Sequence, residues 1–98
     1  MKDTVIVQYK VKPDRVEENK ALIRNVFSEL KTYMPVGISY FVLTLDDGGF
    51  MHIFSAPEGH EDTLTKLKAF QEFRKDIKAR CIEMPQSRHI EELDSYRN

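Results

Sequence analysis

Tryptophan is absent from this chain, and cysteine occurs once, at Cys81. A single thiol excludes an intrachain disulfide, and the expectation is a cytoplasmic protein. Charge of one sign is not in excess either, since 15 Lys and Arg stand against 16 Asp and Glu. Without a basic surplus to neutralise phosphates, nucleic acid is not expected as a partner. Long apolar runs are missing too. The longest, such as 38–45, fall far short of the ~20 residues that cross a bilayer, so no membrane partner is expected. Met1-Lys2-Asp3 leads straight into a strand-like run, with no signal-peptide pattern before it. There is no Gly-rich phosphate loop, Gly-x-Ser-x-Gly elbow or Cys-x-x-Cys pair. The three histidines, His52, His60 and His89, are scattered. Neither a metal nor an organic cofactor is therefore expected.

What is present is patterned as one domain over 1–98, the size of a single core. Thr4 to Val11 is rich in β-branched and aromatic residues and predicts a first strand. Asp14 is placed to cap a helix, with Glu17 three residues on. Val16, Ile23, Val26, Phe27, Leu30 and Met34 then recur at helical spacing until Pro35. A second strand is expected over Ile38 to Leu45, a turn at Asp46-Asp47-Gly48-Gly49, and a third strand over Phe50 to Ser55. Glu61 and Asp62 suit a helix start. Leu64, Leu67, Phe70, Phe73, Ile77 and Cys81 form the stripe of a second helix, ended by Met84-Pro85. A polar last strand is expected over Arg88 to Tyr96. The order is βαββαβ, an α+β ferredoxin-like fold with a four-stranded antiparallel sheet and two helices on one face.

Helices cover only one face of such a sheet, yet the first three strands are apolar on both sides. Val5, Val7, Tyr9 and Val11 share one parity, with Ile6 on the other. Phe41, Leu43 and Leu45 are backed by Ile38, Tyr40 and Val42, and Phe50 and Phe54 by Met51 and Ile53. A monomer exposes few such patches, so a homodimer joined through the uncovered face is expected.

The element order, Gly37-Ile38-Ser39-Tyr40 opening the second strand, the helix bearing Phe70 and Phe73, and the break at Pro85 together resemble the antibiotic biosynthesis monooxygenase (ABM) family. The resemblance spans essentially the whole chain. It implies the dimeric α+β barrel superfamily, a ligand held between sheet and helices, and, in some members, oxygenation of aromatics without a cofactor. Where that family commonly has Glu-x-Trp, the third strand here reads His52-Ile53-Phe54. Where it often has a helical histidine, the steps here read Leu67, Phe70, Phe73. Both departures point away from haem degradation.

Among candidate functional residues His52 comes first, because it points the same way as Phe50 and Phe54. With an even loop at Asp46–Gly49 it would share a face with Phe41 and Leu43. Those two and Phe54 would line a pocket closed by Leu67, Phe70 and Ile77. The imidazole could then be a general base toward a phenolic or enolic substrate. It could equally be a structural histidine of the core or interface. Tyr9 and Tyr40 could orient a ligand, Arg74 and Arg80 could meet an acidic substituent, and Asp76 is spaced to pair with Arg80. Cys81 lies on the apolar stripe and is expected to be an inert core thiol. Two functions stay open: a cofactor-independent monooxygenase of a small aromatic or quinone-type molecule, and a non-catalytic ligand-binding or interaction protein on the same dimer.

Overall fold

A computed structural model describes residues 2–98, with side chains from residue 4 onward, so Met1 of the N-terminal expectation lies outside the described residues. Strand β1 (Lys2–Val11), helix α1 (Val16–Tyr33), strands β2 (Ser39–Thr44) and β3 (Gly49–Pro57), helices α2 (Lys68–Lys75) and α3 (Ile77–Arg80), and strand β4 (Cys81–Ile90) follow one another. The sheet order is β2-β3-β1-β4, and every neighbouring pair is antiparallel. This is the expected α+β ferredoxin-like arrangement. Among the described residues, no helix is long and apolar enough to cross a membrane.

Helix α1 buries Asn19, Ile23, Val26 and Leu30, a stripe spaced four, three and four residues apart. Its start differs from expectation. Pro13 opens a short 3-10 turn over Pro13–Arg15, and no side chain caps the helix. Asp14 is absorbed into that turn, because proline's fixed φ is already set for a first helical turn. At the other end Met34 takes a left-handed φ of 50°, and its N–H bonds the Leu30 carbonyl.

The β2–β3 connection decides which residues share a face. Thr44 lies opposite Phe50, and the Leu45 N–H bonds the Gly49 carbonyl at 2.9 Å. The loop is therefore Asp46, Asp47 and Gly48, an odd number. Three-residue hairpins end on a left-handed residue, and Gly48 has φ 86°. An odd loop pairs even residues with even: Tyr40 with Phe54, and Val42 with His52. Phe41 and Leu43 instead pair with Ile53 and Met51 and lie on the uncovered face. The expectation that they share a side with His52 is corrected by this one-residue difference.

The second helix and last strand also differ from expectation. Turns and irregular backbone fill 58–67, burying Leu64 and Leu67, before α2 begins at Lys68. The Glu29 carboxylate on α1 accepts the N–H groups of Lys68 (3.3 Å) and Ala69 (2.8 Å), so α2 is capped from outside its own segment. Cys81 begins β4 rather than ending a helix, and residues 91–98 are not in a strand. Pro85 sits inside β4, tolerated because β4 is an edge strand. The ladder runs evenly from Thr4–Ile90 to Gln8–Gln86, then shifts at Lys10–Glu83 and Val11–Cys81. The irregularity falls where proline has no N–H to offer.

Candidate functional site

The register builds the site around His52. Val7 and Val42 lie directly opposite it on the two flanking strands. Tyr9 and Tyr40, two residues along on the same face, are its diagonal neighbours, a separation that aromatic side chains bridge. Tyr9 Oη lies 2.7 Å from His52 Nε2, and Tyr40 Oη lies 2.6 Å from Nδ1. Both ring nitrogens are thus occupied by tyrosines.

The chain of contacts continues inward. Asn19 Nδ2 donates to Tyr9 Oη at 2.9 Å, and Arg80 Nε donates to Asn19 Oδ1 at 3.0 Å. Arg80 Nη2 donates to the Phe73 carbonyl at 2.7 Å, and the guanidinium lies over the Phe73 ring. Asn19 and Arg80 are fully buried, at 0% and 1% exposure. Arg80 forms no ion pair with a carboxylate among the described residues, and the expected Asp76 pair is not made. Its backbone N–H alone reaches Asp76.

Proton counting assigns a direction to the chain. Tyr9 Oη already accepts from Asn19, so its own proton goes to His52 Nε2. The neutral ring then carries its hydrogen on Nδ1 and donates to Tyr40. The alternative tautomer would leave the Tyr9 proton without an acceptor among the contacts around it. In the assigned arrangement, one hydroxyl hydrogen stays uncommitted, that of Tyr40.

Burial sets the protonation states. Desolvation lowers the His52 pKa to about 4, so the ring is neutral near pH 7. Burial pushes both phenols above the ordinary tyrosine value; an Asn19 hydrogen bond opposes this at Tyr9, and the Tyr9 charge adds to it at Tyr40. The Cys81 thiol is also raised by burial and is buried in the core, as its place on the stripe suggested.

Beside this chain lies a cavity of about 480 Å³ between the sheet and the second helical segment. Tyr9, Tyr40, His52 and Phe54 form its sheet wall, and Phe70, Phe73 and Ile77 face them from α2 and α3. Tyr40 stacks on Phe27 at 4.9 Å and meets Phe54 edge-on, which fixes its hydroxyl. Of the residues that the sequence singles out as a site, His52, Phe54, Phe70 and Ile77 line this cavity together. Leu67 is buried in the core beside it, and Phe41 and Leu43 lie on the opposite face. His60 and His89 are exposed elsewhere. Among the described residues, no three His, Cys, Asp or Glu side chains gather as a metal site would require.

The sequence pattern does not single out Asn19, and it offers Arg80 as a cation for a ligand rather than a buried one. A signal nevertheless exists for both. Asn19 falls between Val16 and Ile23 on the apolar stripe, and Arg80 lies seven residues after Phe73 and three after Ile77. A polar group in phase with a buried stripe must find a partner inside.

These features define a class: a ferredoxin-like domain with an aromatic-walled cavity between sheet and helices. Solved structures share the fold. An antibiotic biosynthesis monooxygenase matches with a TM-score of 0.77 at 18% identity, over 96% of this chain and 100% of its own. A conserved protein from Methanosarcina mazei Go1 matches at 0.76 and 18%, over 92% and 91%. Rv0793 from Mycobacterium tuberculosis matches at 0.77 and 15%, over 97% and 98%. At these identities the likeness is one of fold. The family that the sequence resembles is thus represented among structures of this architecture. No family profile matches the sequence, and no curated protein does.

Proposed function

We propose that the cavity binds a small aromatic or quinone-type molecule and that the protein oxygenates it without a cofactor. The observation that carries the reading is the ring-lined cavity with the Tyr40 hydroxyl, its hydrogen uncommitted, in its wall. Such ligand sites are mostly apolar with a few placed polar groups. An electron-rich naphthol can itself reduce oxygen. It loses a C–H hydrogen and its hydroxyl hydrogen and gains one oxygen atom as a new carbonyl. The other oxygen atom leaves as water, and all the electrons come from the ring. The protein's part is to orient the ring, exclude water and stabilise the oxyanion that forms, which a Tyr40 O–H donor suits.

In this reading His52 acts through Tyr40 rather than on the substrate. A base with a pKa of about 4 faces a phenol near 10, a gap of roughly 8 kcal/mol against direct proton removal. That same observation favours a second reading, a binding protein without turnover. Calorimetric titration with naphthols and quinols, with oxygen-electrode traces on those that bind, separates the two. Saturable binding with oxygen uptake is expected. Binding without uptake leaves the second reading, and no saturable binding removes both.

We also infer a homodimer joined through the uncovered sheet face. Phe41, Leu43 and Leu45 are 45%, 47% and 40% exposed there, beside Ile6, Met51 and Ile53. A second copy would remove this apolar surface from water.

A further inference from the structure

Two residues of the cavity wall play no part in that chemistry. Arg74, on α2, and Lys78, on α3, both line the cavity that Tyr40 serves. Neither forms an ion pair among the described residues, although carboxylates nearly equal cations in the chain. Arg74 instead lies over the Phe70 ring, itself a wall of the cavity. Among the described residues, no Asp or Glu lines the space. The buried side adds charge of the same sign, because the Arg80 guanidinium stands at the inner end of the hydrogen-bond chain that leads to Tyr40. The cavity therefore meets a ligand with cations at its edge, a donor in its wall and no acidic group to repel an anion.

We infer that the ligand is an aromatic acid, whose ring oxygen accepts from Tyr40 while its carboxylate lies at Arg74 and Lys78. A neutral naphthol would fill the rings' space and use the Tyr40 donor but leave both cations solvated. A hydroxynaphthoic acid engages all three. Lysine meets the carboxylate as a point charge, and arginine can meet it with two parallel N–H donors. Because both cations are exposed, salt screens the contribution.

The inference rests on the aromatic-ligand reading, and its test keeps the two apart. Hydroxynaphthoic acid and naphthol are titrated into the intact protein by calorimetry at low and high salt. The same titrations use an Arg74→Gln, Lys78→Gln double variant, whose exposed substitutions leave the core untouched. The acid is expected to bind about tenfold more tightly than naphthol at low salt, the size that two exposed ion pairs supply. That preference should shrink with salt and vanish in the double variant, where the acid loses more affinity than naphthol does. Equal affinity for both ligands, or a preference that survives the double variant, overturns the aromatic acid and leaves the aromatic site standing. Failure of both ligands to bind overturns the two together.

Discussion

Tyr40 Oη lies 2.6 Å from His52 Nδ1, and the other ring nitrogen is held at 2.7 Å by Tyr9. The imidazole therefore has no free nitrogen to offer a ligand, and a tyrosine hydroxyl stands at the cavity in its place. The ring links a buried cation, through Tyr9 and Asn19, to the hydroxyl in the cavity wall, and in the proposed function it acts by positioning that hydroxyl.

Stability should fall with acid in a way that depends on His52. Its native pKa of about 4 lies below the ordinary value of 6.5, so the unfolded chain binds the extra proton first. The contribution is complete above about pH 6.5 and is lost as pH falls toward 4, amounting to about 3 kcal/mol. Thermal unfolding of wild type and His52→Gln between pH 7 and 4 checks this. The two curves should converge at low pH; parallel curves would count against a buried neutral ring.

Tyr40→Phe should weaken binding of naphthol about fivefold to tenfold, the value of one hydrogen bond, and leave naphthalene affinity alone. Calorimetry with the two ligands reads it directly. An equal loss for both would mean that the hydroxyl only supports the wall.

Arg80 and Asn19 should behave as one unit. Arg80→Met leaves the Asn19 and Phe73 oxygens buried without their donor, at a cost of about 3 kcal/mol. Once Asn19→Leu is in place, removing the arginine should cost about 1–2 kcal/mol less. Urea unfolding of the two single variants and the double variant gives the coupling, and additive costs would exclude it.

Leu43→Glu should convert a dimer into monomers without altering the cavity, because Leu43 lies on the uncovered face. Light scattering on wild type should give about twice 11.5 kDa, and on the variant 11.5 kDa. A wild-type monomer at micromolar concentration would remove the sheet-face interface.

Element order, the α1 stripe and the two-sided apolar strands are legible in the residues alone, because they depend on local periodicity. Three strands and the long helix form close to where their residues predict them. Phe70 and Ile77 also reach the cavity, since a helical stripe faces one side whatever lies opposite. The rest depends on partners distant in the chain. Glu29 caps α2 from about forty residues away, so the stripe from Leu64 onward begins as turns and becomes helix only at Lys68. Pairing with β1 draws Cys81–Ile90 into the sheet, though Met84-Pro85 reads locally as a helix stop. One residue of hairpin length moves Phe41 and Leu43 to the far side and puts Tyr40 beside His52. Periodicity shows that a strand has two faces. The side that a residue takes depends on loop parity and strand pairing, and these are settled only when the chain closes on itself.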